Sequence, residues 1–178
     1  MPPSAAVRTL SVTFEAKLLT DSLRQVQAML RQIDAEIKDI CHGFPEIPCI
    51  LSIPGFGPGI SATVLGMIGN PHRFENTRQV LKTAGLDLSA ERSGKTEGAP
   101  VLSKRGNAHL HYALYQAALI ASTRNRHFMA YFTNKLNGRD REKGIGTKMR
   151  VKLAAKMLVI AWTLMKRKEM FDPAHLTG

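Results

Sequence analysis

Cysteine is nearly absent from this chain, with only Cys41 and Cys49 among 178 residues. Their spacing matches neither a zinc knuckle nor a redox pair, so both read as reduced, structural thiols. Metal-ligand patterns are also lacking. His109 and His111 stand two apart in a helical stretch, which turns them to different faces, and no cysteine or carboxylate stands at a supporting interval. No metal site and no cofactor is therefore expected within this chain. No apolar run approaches the roughly 18 residues that a membrane span requires. Met1-Pro2-Pro3-Ser4 lacks the charged and apolar blocks of a signal peptide. A cytoplasmic protein with no membrane partner is expected. Acidic residues are scarce too: 14 stand against 25 lysines and arginines, a net charge of +11.

The position of that charge says more than its size. Residues 1–42 hold five basic and five acidic side chains, whereas residues 134–169 hold eleven basic and three acidic. A surplus confined to one end suits a polyanionic partner. With 44% hydrophobic residues the chain can bury a core, so a folded protein of one or two small domains is expected.

Apolar residues at Val12, Ala16, Leu19, Leu23, Val26, Leu30, Ile33, Ile37 and Ile40 alternate intervals of four and three. This is a heptad seam on an otherwise polar helix, and such a stripe needs a partner helix, in another subunit or later in the chain. A homodimer or higher oligomer through residues 12–40 is expected. His42-Gly43-Phe44-Pro45 ends the helix. Beyond it, Asn76 is positioned to cap a helix reaching Thr83, with Gly85 as its stop. Residues 86–101 are rich in Ser, Gly, Lys, Glu and Pro and predict an exposed loop or short hairpin. Helices follow over Ala108–Thr123, Arg126–Leu136 and Thr147–Met170, with Asp172-Pro173 ending the last. The expected fold class is all-α. It comprises a coiled-coil, dimerising helix over residues 1–43 and a compact helical domain over 44–173. That domain carries a helix-hairpin-helix motif and one polar loop or short hairpin.

Ile53-Pro54-Gly55-Phe56-Gly57, followed by Gly59 and the apolar Ile60, Ala62, Val64, Leu65 and Ile68, resembles the helix-hairpin-helix motif of DNA repair and recombination proteins. Two glycines permit a tight turn with positive φ, leaving backbone N–H groups free at the start of the next helix. Those donors, backed by the helix dipole, suit a phosphate oxygen and would hold DNA without reading its sequence. Gly55, Phe56, Gly57 and Gly59 are the candidate contacts. Ser93 stands between Arg92 and Lys95, with Lys104, Arg105 and Asn107 close in sequence. A hydroxyl there would have cations beside it for attack on a phosphodiester, although no base for it is evident. Lys148, Arg150 and Lys152 add candidate phosphate contacts on the last helix. Tyr112, Tyr115, Phe128, Tyr131 and Phe132 could stack bases, but at helical spacing they read as core.

The ordered series Ile53-Pro54-Gly55-Phe56-Gly57, Arg73-Phe74, Ala84-Gly85-Leu86, Arg92-Ser93-Gly94, Ser103-Lys104-Arg105-Gly106-Asn107 and Leu110 through Ala117-Ala118 is similar to the C-terminal domain of a transposase family. That family is the insertion-sequence one-hundred-ten group, with one-sixteen and nine-hundred-two, recombinases guided by a bridge RNA. The likeness covers roughly Leu51 to Arg167. It implies DNA strand cleavage and exchange through a covalent phosphoserine link, with Ser93 as the catalytic serine. It also implies a guide RNA as a possible partner and a bacterial or archaeal, nucleoid-associated setting. In the family an N-terminal ribonuclease-H-like domain brings four carboxylates that bind magnesium. No acidic constellation precedes the coiled-coil stretch here, so Mg2+ is expected only with that domain. The chain reads as the DNA-binding, nucleophile-bearing half of a transposase, an excised domain or a truncated gene product, inactive alone. Two other readings cover part of the observations: a helix-hairpin-helix binding module without chemistry, and a coiled-coil interaction protein whose basic helix meets an acidic partner.

If the basic surplus meets a polyanion, DNA affinity should fall by orders of magnitude as salt rises from about 50 to 200 mM. Binding measured by anisotropy that ignores salt would contradict every nucleic-acid reading.

Overall fold

The computed structural model of the chain describes residues 5–89, 92–93, 96–97, 101–102, 105–139 and 141–176; for 5–10 and for the strand residues 88–89, 92–93, 96–97 and 101–102 it describes the backbone alone. The described residues divide into two units, 1–40 and 41–178. The fold is all-α apart from two short ladders.

Helix α1 (Ala5–Cys41) is one uninterrupted element of 37 residues, about 55 Å long at 1.5 Å per residue. It starts earlier than the heptad pattern requires, because Ala5 to Leu10 contain no breaker. Along its seam Leu23 is 57% and Leu30 56% exposed.

The second unit contains α2 (Ile47–Leu51), α3 (Pro58–Ile68), a 3-10 turn at Pro71–Arg73 and α4 (Thr77–Thr83). Then come four two-residue strands, α5 (Ala108–Arg124), α6 (Arg126–Leu136), α7 (Ile145–Arg167) and a 3-10 turn at Pro173–Leu176. Helix α7 is the hub: α5 packs on it most extensively, and α2, α4 and α6 also meet it. Its C-terminal half is covered nearly all round, burying Met157, Leu158, Ile160, Ala161, Trp162, Leu164 and Met165. Helix α5 in turn buries Leu110, Leu114, Ala117 and Ala118 against its neighbours.

Directional bonds fix the periphery to this core. The Trp162 indole Nε1–H donates to the Pro71 carbonyl at 2.8 Å, holding the connector after α3 against α7. Ser52 Oγ donates to Cys49 O and accepts the Phe171 N–H at 2.8 Å, tying the end of α2 to the segment after α7. Phe171 in turn stacks on the fully buried Phe128 of α6, centroids 5.5 Å apart.

The last helix differs from the sequence expectation at both ends. It begins at Ile145, after Gly144 in the left-handed region (φ 75°), and it stops at Arg167. Lys168 adopts φ 56°, and the Glu169 N–H reaches back to Leu164 O, the wrap that usually employs glycine. A lysine gives no warning of such a cap, so the stop falls ahead of Asp172-Pro173.

Leu114 of α5 is fully buried. Leu114→Ala should cost about 2–5 kcal/mol, visible as a lower urea midpoint with an unchanged slope.

Candidate nucleic-acid interface

Between α2 and α3 the chain turns over six residues, and two of them anchor it. Ile53 and Phe56 are buried, and the Phe56 N–H donates to Ile53 O at 3.0 Å to close the turn. Gly55 has φ 94°, and a methyl group there would lie 2.5 Å from Ala117 O of α5. The turn can rest on α5 only because that methyl is absent. Gly57 departs from the expected positive φ. It is the N-cap of α3 in extended conformation (φ −90°, ψ 176°), and a Cβ on it or on Gly59 would meet nothing within 4 Å. Pro58 lacks an N–H, and the helical ladder starts with Ser61 N–H to Gly57 O at 2.9 Å. The N–H groups of Gly59 and Ile60 therefore precede the ladder, with no acidic side chain in the first turn to compete for them. Of the four residues expected to hold a phosphate, Gly55 and the Phe56 side chain face inward as scaffold. Gly57 and Gly59 stand at the open end.

The polar segment is a nested hairpin arm. Strand β1 (Leu88–Ser89) pairs antiparallel with β4 (Val101–Leu102), and beyond it β2 (Arg92–Ser93) pairs with β3 (Thr96–Glu97). Ser93 lies opposite Thr96 and Arg92 opposite Glu97, so Ser93 occupies the outermost pair of the outer ladder. Lys95 and Lys104 fall outside the described residues. The root of the arm is firmly held. Asn76 caps α4 by accepting the Gln79 N–H, and α4 ends at Thr83, before Gly85. A Cβ on Gly106 would lie 2.0 Å from Gly85 N and 2.5 Å from Ala84 C, so the two legs pass with no room for a side chain. The Asn107 N–H donates to Thr83 O at 2.7 Å. Protonated Nδ1 of His111 donates to Ala84 O at 3.0 Å. Asn107, expected to touch DNA, uses its Oδ1 to cap α5 through the Leu110 N–H. Arg105 beside it is exposed.

The three bases of α7 do not share a face. Lys148 and Lys152 are exposed and one turn apart, whereas Arg150, two residues on, lies about 200° round the helix from Lys148. Its guanidinium sits 5.4 Å above the Phe132 ring, and its Nε is buried without a hydrogen-bond partner. Helix α5 separates the other two features. The glycine turn meets it at Ala117 and the arm is rooted at Asn107, about 15 Å apart along the axis.

Residues 48–133 match the family model of the transposase IS116/IS110/IS902 family. This chain carries a domain of that family. It is 26% identical over 161 residues to the uncharacterized 44.8 kDa protein of insertion element IS116 from Streptomyces clavuligerus, covering 89% of this chain and 39% of that protein. It is 25% identical to a probable family 20 transposase of Pseudomonas aeruginosa, covering 87% and 46%. It is 27% identical to the transposase for insertion sequence element IS1111A of Coxiella burnetii, covering 86% and 42%. The chain spans less than half the length of each of these relatives. The family domain contains the glycine turn, the arm and α5, so the motif series is in good part a scaffold series. Phe74, Ala84, Leu86, Ala117 and Ala118 are core, and Arg73 closes the end of α3 by donating to Met67 O at 2.9 Å while lying over Phe74.

Among the described residues no group of three or more His, Cys, Asp or Glu could hold a metal ion, and no helix is long and apolar enough to cross a membrane. Sequence reasoning passed over Tyr131, Lys135 and Arg139, which line a cavity between α6 and α7 together with Lys152. The available signal was Tyr131 and Lys135 one turn apart, set aside because aromatic residues at helical spacing are usually core.

Gly55→Ala should destabilise the domain by more than about 1 kcal/mol, since it combines a left-handed φ with a backbone clash. Gly57→Ala, extended and open, should stay within about 0.5 kcal/mol of the parent. Parallel urea titrations compare the two, and equal costs would contradict the inward and outward assignments.

Proposed function

We propose that this chain is the DNA-binding, nucleophile-bearing half of an insertion-sequence transposase, acting in DNA recombination by strand cleavage and exchange. The observation that carries the proposal is the arm of a transposase-family domain whose outer ladder holds Arg92-Ser93. The Gly57 and Gly59 end of α3 gives free N–H donors and a helix dipole to a backbone phosphate. Lys148 and Lys152 add cations that position DNA without selecting sequence. Grip and arm root are about 15 Å apart, four to five base-pair steps at 3.4 Å each, so one short duplex can meet both. The Ser93 hydroxyl then attacks a backbone phosphorus: an Oγ–P bond forms, one P–O bond of the strand breaks, and the departing oxygen takes up a proton. Arg92, Lys95, Lys104 and Arg105 supply positive charge to the pentavalent transition state.

The family resemblance associates this chemistry with magnesium on four carboxylates of a ribonuclease-H-like domain. The described residues do not furnish that donor set, so no step here runs through the metal, and cleavage requires a second domain. A second copy of the chain, paired along the α1 seam, would bring two serines to one DNA site. A guide RNA would choose the site, and the work would take place in the cytoplasm at the nucleoid.

Mixing the chain with a ribonuclease-H-like partner domain, magnesium, guide RNA and nicked DNA should give a protein–DNA adduct that survives denaturation. Ser93→Ala should abolish it, and an adduct that persists in Ser93→Ala refutes the nucleophile. Lys148→Ala with Lys152→Ala should weaken duplex binding alike for all sequences and flatten the salt slope by about two.

A further inference from the structure

A second binding feature lies away from both turn and arm. Helices α6 and α7 line an open cavity of about 240 Å³. Its floor is the buried pair Met149 and Leu153, and its walls include the half-buried rings of Tyr131 and Phe132. The exposed cations Lys135, Arg139 and Lys152 complete it. None of these described lining residues is acidic. Glu142 accepts from both Nε and a terminal nitrogen of Arg139 at 2.7 Å. Nearby on α7, burial and then the charge of Lys135 hold the Lys156 ammonium below the usual lysine range. Apolar floor, aromatic wall and the cations Lys135 and Lys152 together match one chemistry, a planar base attached to a phosphate.

We infer that this cavity takes one unpaired nucleotide of a single nucleic-acid strand, its base against Tyr131 and its phosphate on Lys135 and Lys152. The rings are not equivalent. Phe132 already lies under the half-buried Arg150 guanidinium, which fixes it as a wall. Tyr131 carries only the Lys135 ammonium, 5.4 Å above its centroid. A cation–π contact at an exposed site is worth about 0.5–1 kcal/mol, whereas a stacked base is worth about 1–3 kcal/mol. The base therefore displaces the ammonium, and the flexible lysine stem carries it to the phosphate. The inference rests on the nucleic-acid reading of the chain but not on Ser93 or the glycine turn.

The test uses the whole chain and labelled strands of about twelve nucleotides, as single-stranded DNA, single-stranded RNA and duplex DNA, read by anisotropy. Tyr131→Leu should weaken single-strand binding about tenfold while Tyr131→Phe changes it less than about twofold, because stacking needs the ring and not the hydroxyl. Lys135→Ala should lower the single-strand salt slope by about 0.7. Duplex affinity should be unchanged in all three variants, and the single strand that responds to Tyr131→Leu, DNA or RNA, is the occupant. An unaltered single-strand affinity in Tyr131→Leu overturns the inference, as does an equal loss on single strand and duplex in a variant that melts like the parent. Failure of duplex binding alone counts against the proposed function and leaves this cavity standing.

Discussion

Two backbone approaches at the middle and at the start of α5, one on the helix and one between the legs of the arm, leave no space for a side chain, and the arrangement of the domain depends on them. At Gly55 a methyl would meet the Ala117 carbonyl, and at Gly106 it would meet the Gly85 nitrogen. Close approach of this kind is possible only where a side chain is missing, and the glycines' loss of backbone entropy on folding is its cost. The gain is that α5 fixes two surface features at once. The turn before α3 lies against its middle, and the arm leaves from its capped start. Because α5 is packed along α7, whose C-terminal half is enclosed by helices, neither feature can shift without disturbing the core. The arm that carries Ser93 is thus held at its root by close backbone contacts, as a loop positioned by a packed scaffold requires.

Much of this was legible because the signals were local. Asn76 at the cap and Gly85 at the stop delimit α4 as the sequence implies, and α6 occupies Arg126–Leu136 as its periodicity predicts. The heptad spacing announces a long helix, and the helix is there. What was not legible depends on distant partners or unusual residues. That Gly55 and Phe56 face inward follows from α5 arriving against the turn, which no property of residues 53–57 reveals. The left-handed Lys168 uses a residue type that carries no stop signal. Asn107 had two plausible uses, and only the presence of Leu110 N–H at its Oδ1 decides for the cap. Arg150 is a different case. An interval of two on a helix already separates it from Lys148 and Lys152, so the three do not share a face.

The distribution of charge supports a partner more than it supports stability. The described ion pairs Arg24–Asp21, Arg139–Glu142 and Arg167–Glu169 all join half-exposed or more exposed side chains. Pairs of that kind contribute about 0–1 kcal/mol each. Against them stand the exposed Lys148 and Lys152 of α7 and Lys135 of α6, while burial and then the charge of Lys135 hold the Lys156 ammonium below the usual lysine range. Self-repulsion of this order destabilises a compact state unless a counter-charge arrives. A polyanion laid across α6 and α7 would relieve it, and ordinary salt would relieve it less specifically, which makes stability and nucleic-acid affinity two readings of the same electrostatics. The aromatic wall inferred beside these cations would then distinguish a flexible single strand, whose bases can leave the stack, from a duplex, whose bases cannot.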